Sequence, residues 1–200
     1  MKYLIILFSL LFSTSLLQAQ KYEITPRVGF NYNFFTGGDA DDIDGNSGYH
    51  LGLIINRKLG EKSGVESGIL YSKRNVKPNG GEWQFSYLQV PILYSYKLND
   101  IVSLCAGPQF NVEVDAEGKG FLIEEEIGDK FHDLDFAATI GAKIALPAHL
   151  QVWLGFSRSL RSIGSDHDVS IDVNGQTVRV DVDGFELYNN EVQLSVGYVF

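Results

Sequence analysis

The sequence predicts an all-β chain, an eight-stranded antiparallel up-and-down transmembrane β-barrel. Three observations carry that expectation. Apolar residues recur with a period of two through nearly the whole chain after residue 20. The connections between the alternating segments are long and short by turns, as in barrels whose loops gather at one end and tight turns at the other. The apolar face is built from side chains too bulky for the interior of so small a barrel.

The first alternating segment is YEITPRVGFNYNFF, in which Tyr22, Ile24, Pro26, Val28, Phe30, Tyr32 and Phe34 share a face. Glu23, Thr25, Arg27, Gly29, Asn31 and Asn33 share the other. In YHLGLIINRKL the apolar set is Tyr49, Leu51, Leu53 and Ile55, with His50, Gly52 and Asn56 opposite. The same reading gives strands over 65–76, 85–98, 101–115, 133–147, 150–163 and 190–200. Most exceed the five or six residues typical of soluble sheets. Only 121–131 carries a pattern that would suit a short turn of helix.

Long loops are expected at about 35–47, 75–84, 116–132 and 164–189, with the tight turns GEKS, KLND and PAH between them. Alternate connections of an up-and-down barrel lie at opposite ends, so every long loop falls at one end. A Greek-key sandwich has no reason to sort its loops in this way. Within the last loop, DVSIDVNGQTVRVDV is two alternating runs around Asn174-Gly175, a favoured type I′ hairpin pair.

Size and chemistry decide which face is inside. One face carries Phe30, Tyr32, Leu53, Ile55, Leu88, Ile92, Tyr94, Tyr96, Phe110, Phe136, Ile140, Ile144, Leu154, Phe156, Leu194 and Tyr198. The opposite face is Gly, Ser, Gln, Asn and Thr, with Arg27, Glu66, Arg74 and Lys143 among them. An eight-stranded barrel has room inside for the second set only. Aromatic residues near strand ends, such as Tyr22, Phe34, Tyr49, Tyr71, Tyr96 and Tyr198, suit interfacial girdles. The inner charges of both signs are expected to pair, since an unpaired buried charge is costly, and a lumen so filled is not a wide pore. The alternative weighed against this is a soluble exported lipocalin-like barrel with an apolar ligand cavity.

The first residues, MKYLIILFSLLFSTSLLQAQ, read as a secretory signal peptide over 1–19, with one positive residue, an apolar stretch and a small-residue site at Ala19. Cleavage there leaves a barrel domain over 20–200. The apolar run is shorter than the roughly 20 residues of a spanning helix. The single cysteine, Cys105, precludes an intrachain disulfide. The formal net charge of −9, from 25 Asp and Glu against 16 Lys and Arg, disfavours nucleic acid as a partner.

Few residues suggest chemistry, and no catalytic, cofactor-binding or metal-binding residue is assigned. Asp39, Asp41, Asp42, Asp44 and Asn46 are dense oxygen ligands, yet Ser47 and Leu53 stand where a calcium loop needs glycine and glutamate. A solvated acidic loop is the simpler reading, as it is for Glu124, Glu125 and Glu126. A lipid-modifying enzyme would use His132 with Asp133, or His167 with Ser165, Asp166 and Asp168, but each set is only a group of sequence neighbours without an orienting third group. His50 is expected as a hydrogen-bonded interior residue, and Cys105 as a small side chain packed among small neighbours.

The stretch YLQVPILYSYKLNDIVSLCAGPQFNVEV (87–114), with its Tyr-Leu-x-Val-Pro opening and Ala-Gly-Pro strand, resembles the PorT-like outer-membrane β-barrel proteins of the Bacteroidetes group. The Gln-Ala-Gln at 18–20, the Arg-x-Gly-x-Asn strand at 27–31 and the terminal aromatic Phe200 are similar too, although glutamate often stands at the place of Gln89. The resemblance implies an eight-stranded barrel in the cell outer membrane, with no activity to carry over; in such a barrel both termini are expected in the periplasm. Its expected role is structural or interactive through the extracellular loops. The expected partners are outer-membrane lipid and lipopolysaccharide, proteins met at the loops, and the barrel assembly machinery, engaged by the last strand ending at Phe200.

Overall fold

Strands form wherever apolar and polar residues alternate, because that pattern lets one face meet hydrocarbon while the other fills an interior. The computed structural model describes residues 22–38, 40, 43–78, 81–120, 124–126, 134–162, 167–173, 176–182 and 186–200. The barrel strands are β1 (Tyr22–Thr36), β2 (Ile43–Lys58), β3 (Ser63–Pro78), β4 (Gly81–Lys97), β5 (Val102–Gly120), β7 (Leu134–Ala145), β8 (Leu150–Ser159) and β11 (Tyr188–Tyr198). The order β4-β3-β2-β1-β11-β8-β7-β5 closes through a β4–β5 pairing, and all pairs are antiparallel. This is the expected eight-stranded up-and-down barrel.

The seam joins the first and last strands, running from Arg27↔Gly197 to Thr36↔Tyr188. At the turn end, Val199 N donates to His149 O and Phe200 N to Ile24 O, at 2.8 and 3.0 Å. These bonds tie the last residues to both neighbouring strands.

Pairing runs further into the expected loops than the sequence suggested. Residues 75–84 are largely strand, since β3 continues to Pro78 and β4 begins at Gly81. β2 likewise starts at Ile43, inside the expected 35–47 loop. Of the segment 121–131, for which a short turn of helix was expected, the described residues Glu124–Glu126 form instead the short strand β6 against Glu117–Lys119, and the rest lies outside the described residues. β9 (His167–Val173) and β10 (Gln176–Val182) pair as a separate two-stranded ribbon, as the Asn-Gly turn implied. The candidate signal peptide lies outside the described residues.

Facing is as the alternation requires. Val28, Phe30, Leu53, Ile69, Ile140, Leu154 and Leu194 are exposed on the outer wall, and Asn31, His50, Glu66, Gln89, Gln109, Thr139 and Gln193 are buried. Apolar outside and polar inside is the reverse of a lipocalin-like barrel, so that alternative falls. The interior is nevertheless bulkier than expected. Trp153, Tyr87, Phe85, Leu70, Leu93 and Ile54 are all buried within it.

Candidate functional site

From the loop end downwards, the lumen is filled in layers. Phe35, Val76, Phe85, Tyr87 and Leu187 form an apolar cluster, with Ala40 and Ile43 packed on it. Its rings meet edge-on (Phe35–Phe85) and stacked (Phe85–Tyr87), each pair at 6.2 Å. Beside this cluster the β4–β5 ladder shifts register. Ser86 pairs with Asp115 and Tyr87 with Glu113, leaving Val114 as an extra residue that bends the ladder.

Next comes a polar hub on Glu191, a side chain with no solvent exposure. Its Oε2 accepts from Arg74 Nη2 and Gln89 Nε2, both at 2.8 Å, and its Oε1 from Asn31 Nδ2 at 2.9 Å and Ser72 Oγ at 3.2 Å. Arg74 also lies 4.6 Å over the Tyr87 ring, which joins the hub to the apolar layer above. Gln193 extends the network, donating to Gln89 Oε1 at 3.2 Å and accepting from Trp153 Nε1 at 3.1 Å. Gln109, Asn111, Asp135, Thr139 and Ser157 form a second chain of bonds along β5, β7 and β8.

Below the hub, Trp153 packs with Leu93 and Cys105, and Arg27 stands 5.0 Å over its ring. Lys143 pairs with Glu66, whose other oxygen faces Cys105 Sγ at 3.9 Å. The buried ionic residues among those described are three cations, Arg27, Arg74 and Lys143, against three carboxylates, Glu66, Asp135 and Glu191. The interior is charge-balanced, which low-dielectric burial demands.

Beneath Lys143 the barrel opens at the turn end into a polar vestibule of about 430 Å³, lined by Glu23, Lys58, Lys62, Lys97 and His149 among others. Glu23 pairs with Lys58 at 2.7 Å and Lys97 with Asp100 at 2.8 Å. Lys143, the partner of Glu66, is among the residues that line the vestibule.

Most candidates singled out in the sequence do not gather into a site. His50 is fully buried as expected, but neither ring nitrogen has a hydrogen-bond partner among the described residues, which corrects the expectation of a bonded histidine. Cys105 is buried against Leu93 and Trp153, large neighbours rather than small ones. Asp39, Asp41, Asp42, His132, Asp133, Ser165 and Asp166 lie outside the described residues. Asp44 and Asn46 stand on β2, and His167 and Asp168 on β9. Among the described residues no group of three His, Cys, Asp or Glu could hold a metal.

The hub itself escaped the sequence reading. Glu191 stands on the inward parity of the last strand, two residues before Gln193, and that was the available signal. Trp153 likewise alternates with Gln151 and Gly155.

Solved structures share this architecture. Ail, the attachment invasion locus protein of Yersinia pestis, matches at 13% identity over 90% of this chain and 99% of its own, with a TM-score of 0.53. Ail in complex with the heparin analogue sucrose octasulfate matches with the same identity and coverage at 0.52. Neisserial surface protein A matches at 8% identity over 90% of this chain and 97% of its own, at 0.55. At such identities the likeness is one of fold. No curated protein matches the chain significantly. The model of the family described as "Outer membrane protein beta-barrel domain" matches residues 4–200, and this chain, an eight-stranded barrel of the outer membrane, belongs to that family.

Proposed function

We propose that the protein is a non-porin, non-enzymatic outer-membrane barrel that works as a structural or interaction element, with its extracellular loops as the contact surface. The observation that supports this most is the filled lumen. Apolar cluster, Glu191 hub and Glu66–Lys143 pair succeed one another between the loop end and the vestibule. A barrel filled in this way offers no wide solute path, so the variable chemistry is left to the loops.

Those loops are acidic, with Asp39, Asp41, Asp42 and Asp44 in one, Glu124–Glu126 in another and Asp166, Asp168, Asp181 and Asp183 in the last. The charge disfavours a polyanion such as the heparin analogue bound to Ail, and suits a cationic partner or lipopolysaccharide phosphates bridged by divalent ions. The PorT-like resemblance of 87–114, export through a signal cleaved after Ala19, and recognition of the Phe200 strand by the assembly machinery belong to the same reading.

Planar-bilayer recording and liposome swelling with the refolded barrel test it. Sealed membranes and no sugar uptake are expected, and porin-like conductance overturns the proposal. Photo-crosslinking from loop positions in intact cells should then capture defined neighbours that positions in the turns 59–62 and 98–101 do not.

A further inference from the structure

The outer wall is not uniformly smooth. A groove of about 600 Å³ runs down its β2–β3–β4 side, lined by Ile55, Leu59, Val65, Ser67, Ile69 and Val90, with Tyr22 and Arg57 at its lower end. That size lies within the range of ligand clefts, about 300–1,000 Å³. Its notch is Ser67, a small hydroxyl paired with Ile55 on one side and Ile92 on the other. Both isoleucines stand exposed on the wall.

The sheet is also broken at this point. Pairing between β3 and β4 runs through Ser67↔Ile92 and resumes at Leu70↔Gln89, with the two rungs between left unmade. The reason is Pro91, which stands opposite Gly68 and has no N–H to donate. The neighbouring β4–β5 ladder lapses beside it, between Pro91↔Gln109 and Tyr94↔Ala106, where Pro108 stands. Two prolines in adjacent central strands let the wall part locally, and the small Ser67 leaves the gap unfilled.

The lower end of the groove carries a charge. Arg57 is on the outward parity of β2, its guanidinium 5.8 Å over the Tyr22 ring, and among the described residues no carboxylate pairs with it. It stands at the turn end, where the wall leaves the hydrocarbon. An apolar channel ending in a cation and a tyrosine at the bilayer boundary matches the chemistry of a lipid with an acyl chain and a phosphate.

We propose that this groove seats one diacyl phospholipid of the periplasmic leaflet, an acyl chain lying over Ser67 between Ile55 and Val90 and the phosphate on Arg57. The chain covers the unmade rungs with hydrocarbon, and the guanidinium gives the phosphate charge-assisted donors. The site is a property of the wall and stands independently of the role proposed for the loops.

Native mass spectrometry of the mature barrel in dodecyl maltoside, titrated with phosphatidylglycerol, tests it. One saturable phosphatidylglycerol per barrel is expected. Ser67→Trp, which fills the notch, and Arg57→Ala should each lower its occupancy at least fivefold. Leu154→Trp, on β8 directly across the ring from β3, should leave it within twofold. Heat-modifiable migration checks folding, and Ser67→Leu serves if the tryptophan variant does not assemble. Equal occupancy in wild type and both groove variants, or equal loss in the Leu154 variant, overturns the site. Dimers that vanish with Ser67→Trp would overturn it in favour of a second copy of the chain.

Discussion

Arg74 and Glu191, 117 residues apart in sequence, meet inside the barrel at 2.8 Å, and neither side chain has appreciable contact with solvent. The pair spans the lumen from β3 to β11. Gln89, Asn31 and Ser72 complete the carboxylate's partners, so Glu191 binds four strands together from the centre.

Removing one partner therefore strands the other. Glu191→Ala leaves Arg74 buried without its anion and should cost about 3–5 kcal/mol of barrel stability. Replacing both, as Arg74→Met with Glu191→Leu, should recover most of that loss, because the uncompensated charge is gone. Urea unfolding of the refolded barrel, followed by tryptophan fluorescence, gives both values. Additive losses in the double variant would show that the pair is not coupled.

Trp153 sets a second requirement, on glycine. A methyl group at Gly155 would sit 2.6 Å from Trp153 Cζ2, and one at Gly141 would sit 2.7 Å from the same atom. Gly155 is two residues along Trp153's own strand β8 and Gly141 is on the neighbouring β7, so the ring lies against the backbone of both. Gly155→Ala should cost about 1–3 kcal/mol by overpacking. Pairing it with Trp153→Leu should relieve most of that cost, again measured by urea unfolding. A Gly155→Ala variant as stable as wild type would mean that the ring has somewhere else to go.

These two features mark how far the sequence could be read. Strand phase was legible, because a period of two forces Phe30 and Leu194 to one side and Asn31 and Gln193 to the other. Closure was legible from loop lengths. Trp153 and Tyr87 were not legible as interior residues, because size and chemistry together assign large aromatic side chains to the outer wall, and the glycines that make room for the indole come from two different strands. The hub was hidden for another reason. Arg74, Gln89 and Glu191 converge only once the stagger of eight paired strands is fixed, and no local pattern encodes that stagger.

The turn after β7 is strained. Ala148 and His149 both adopt left-handed backbone, at φ of 59° and 61°, where the chain reverses between Pro147 and Leu150. Non-glycine residues pay for such conformations, and Asn-Gly suits two consecutive left-handed positions far better. Ala148→Asn with His149→Gly should stabilise the barrel by about 1 kcal/mol despite losing the His149–Tyr198 ring contact at 6.0 Å. Equilibrium unfolding measures the gain. Unchanged or lower stability would show that the ring contact outweighs the backbone term.

The end of the last strand gives the final prediction. Phe200 is 75% exposed, packs edge-on against Tyr198 at 4.8 Å, and is held in place by its backbone bond to Ile24. Its ring thus contributes little to the interior, yet it presents an aromatic pair at the point where β11 meets β1. If that pair is what the assembly machinery reads, Phe200→Asp should reduce folded barrel in the outer membrane severalfold in cells. Refolding of the same variant from urea into detergent should proceed nearly as in wild type, since no buried contact is lost. Membrane fractionation with heat-modifiable migration compares the two settings. An equal defect in cells and in detergent would place the role of Phe200 in stability rather than in recognition, and normal outer-membrane levels would remove it from assembly altogether.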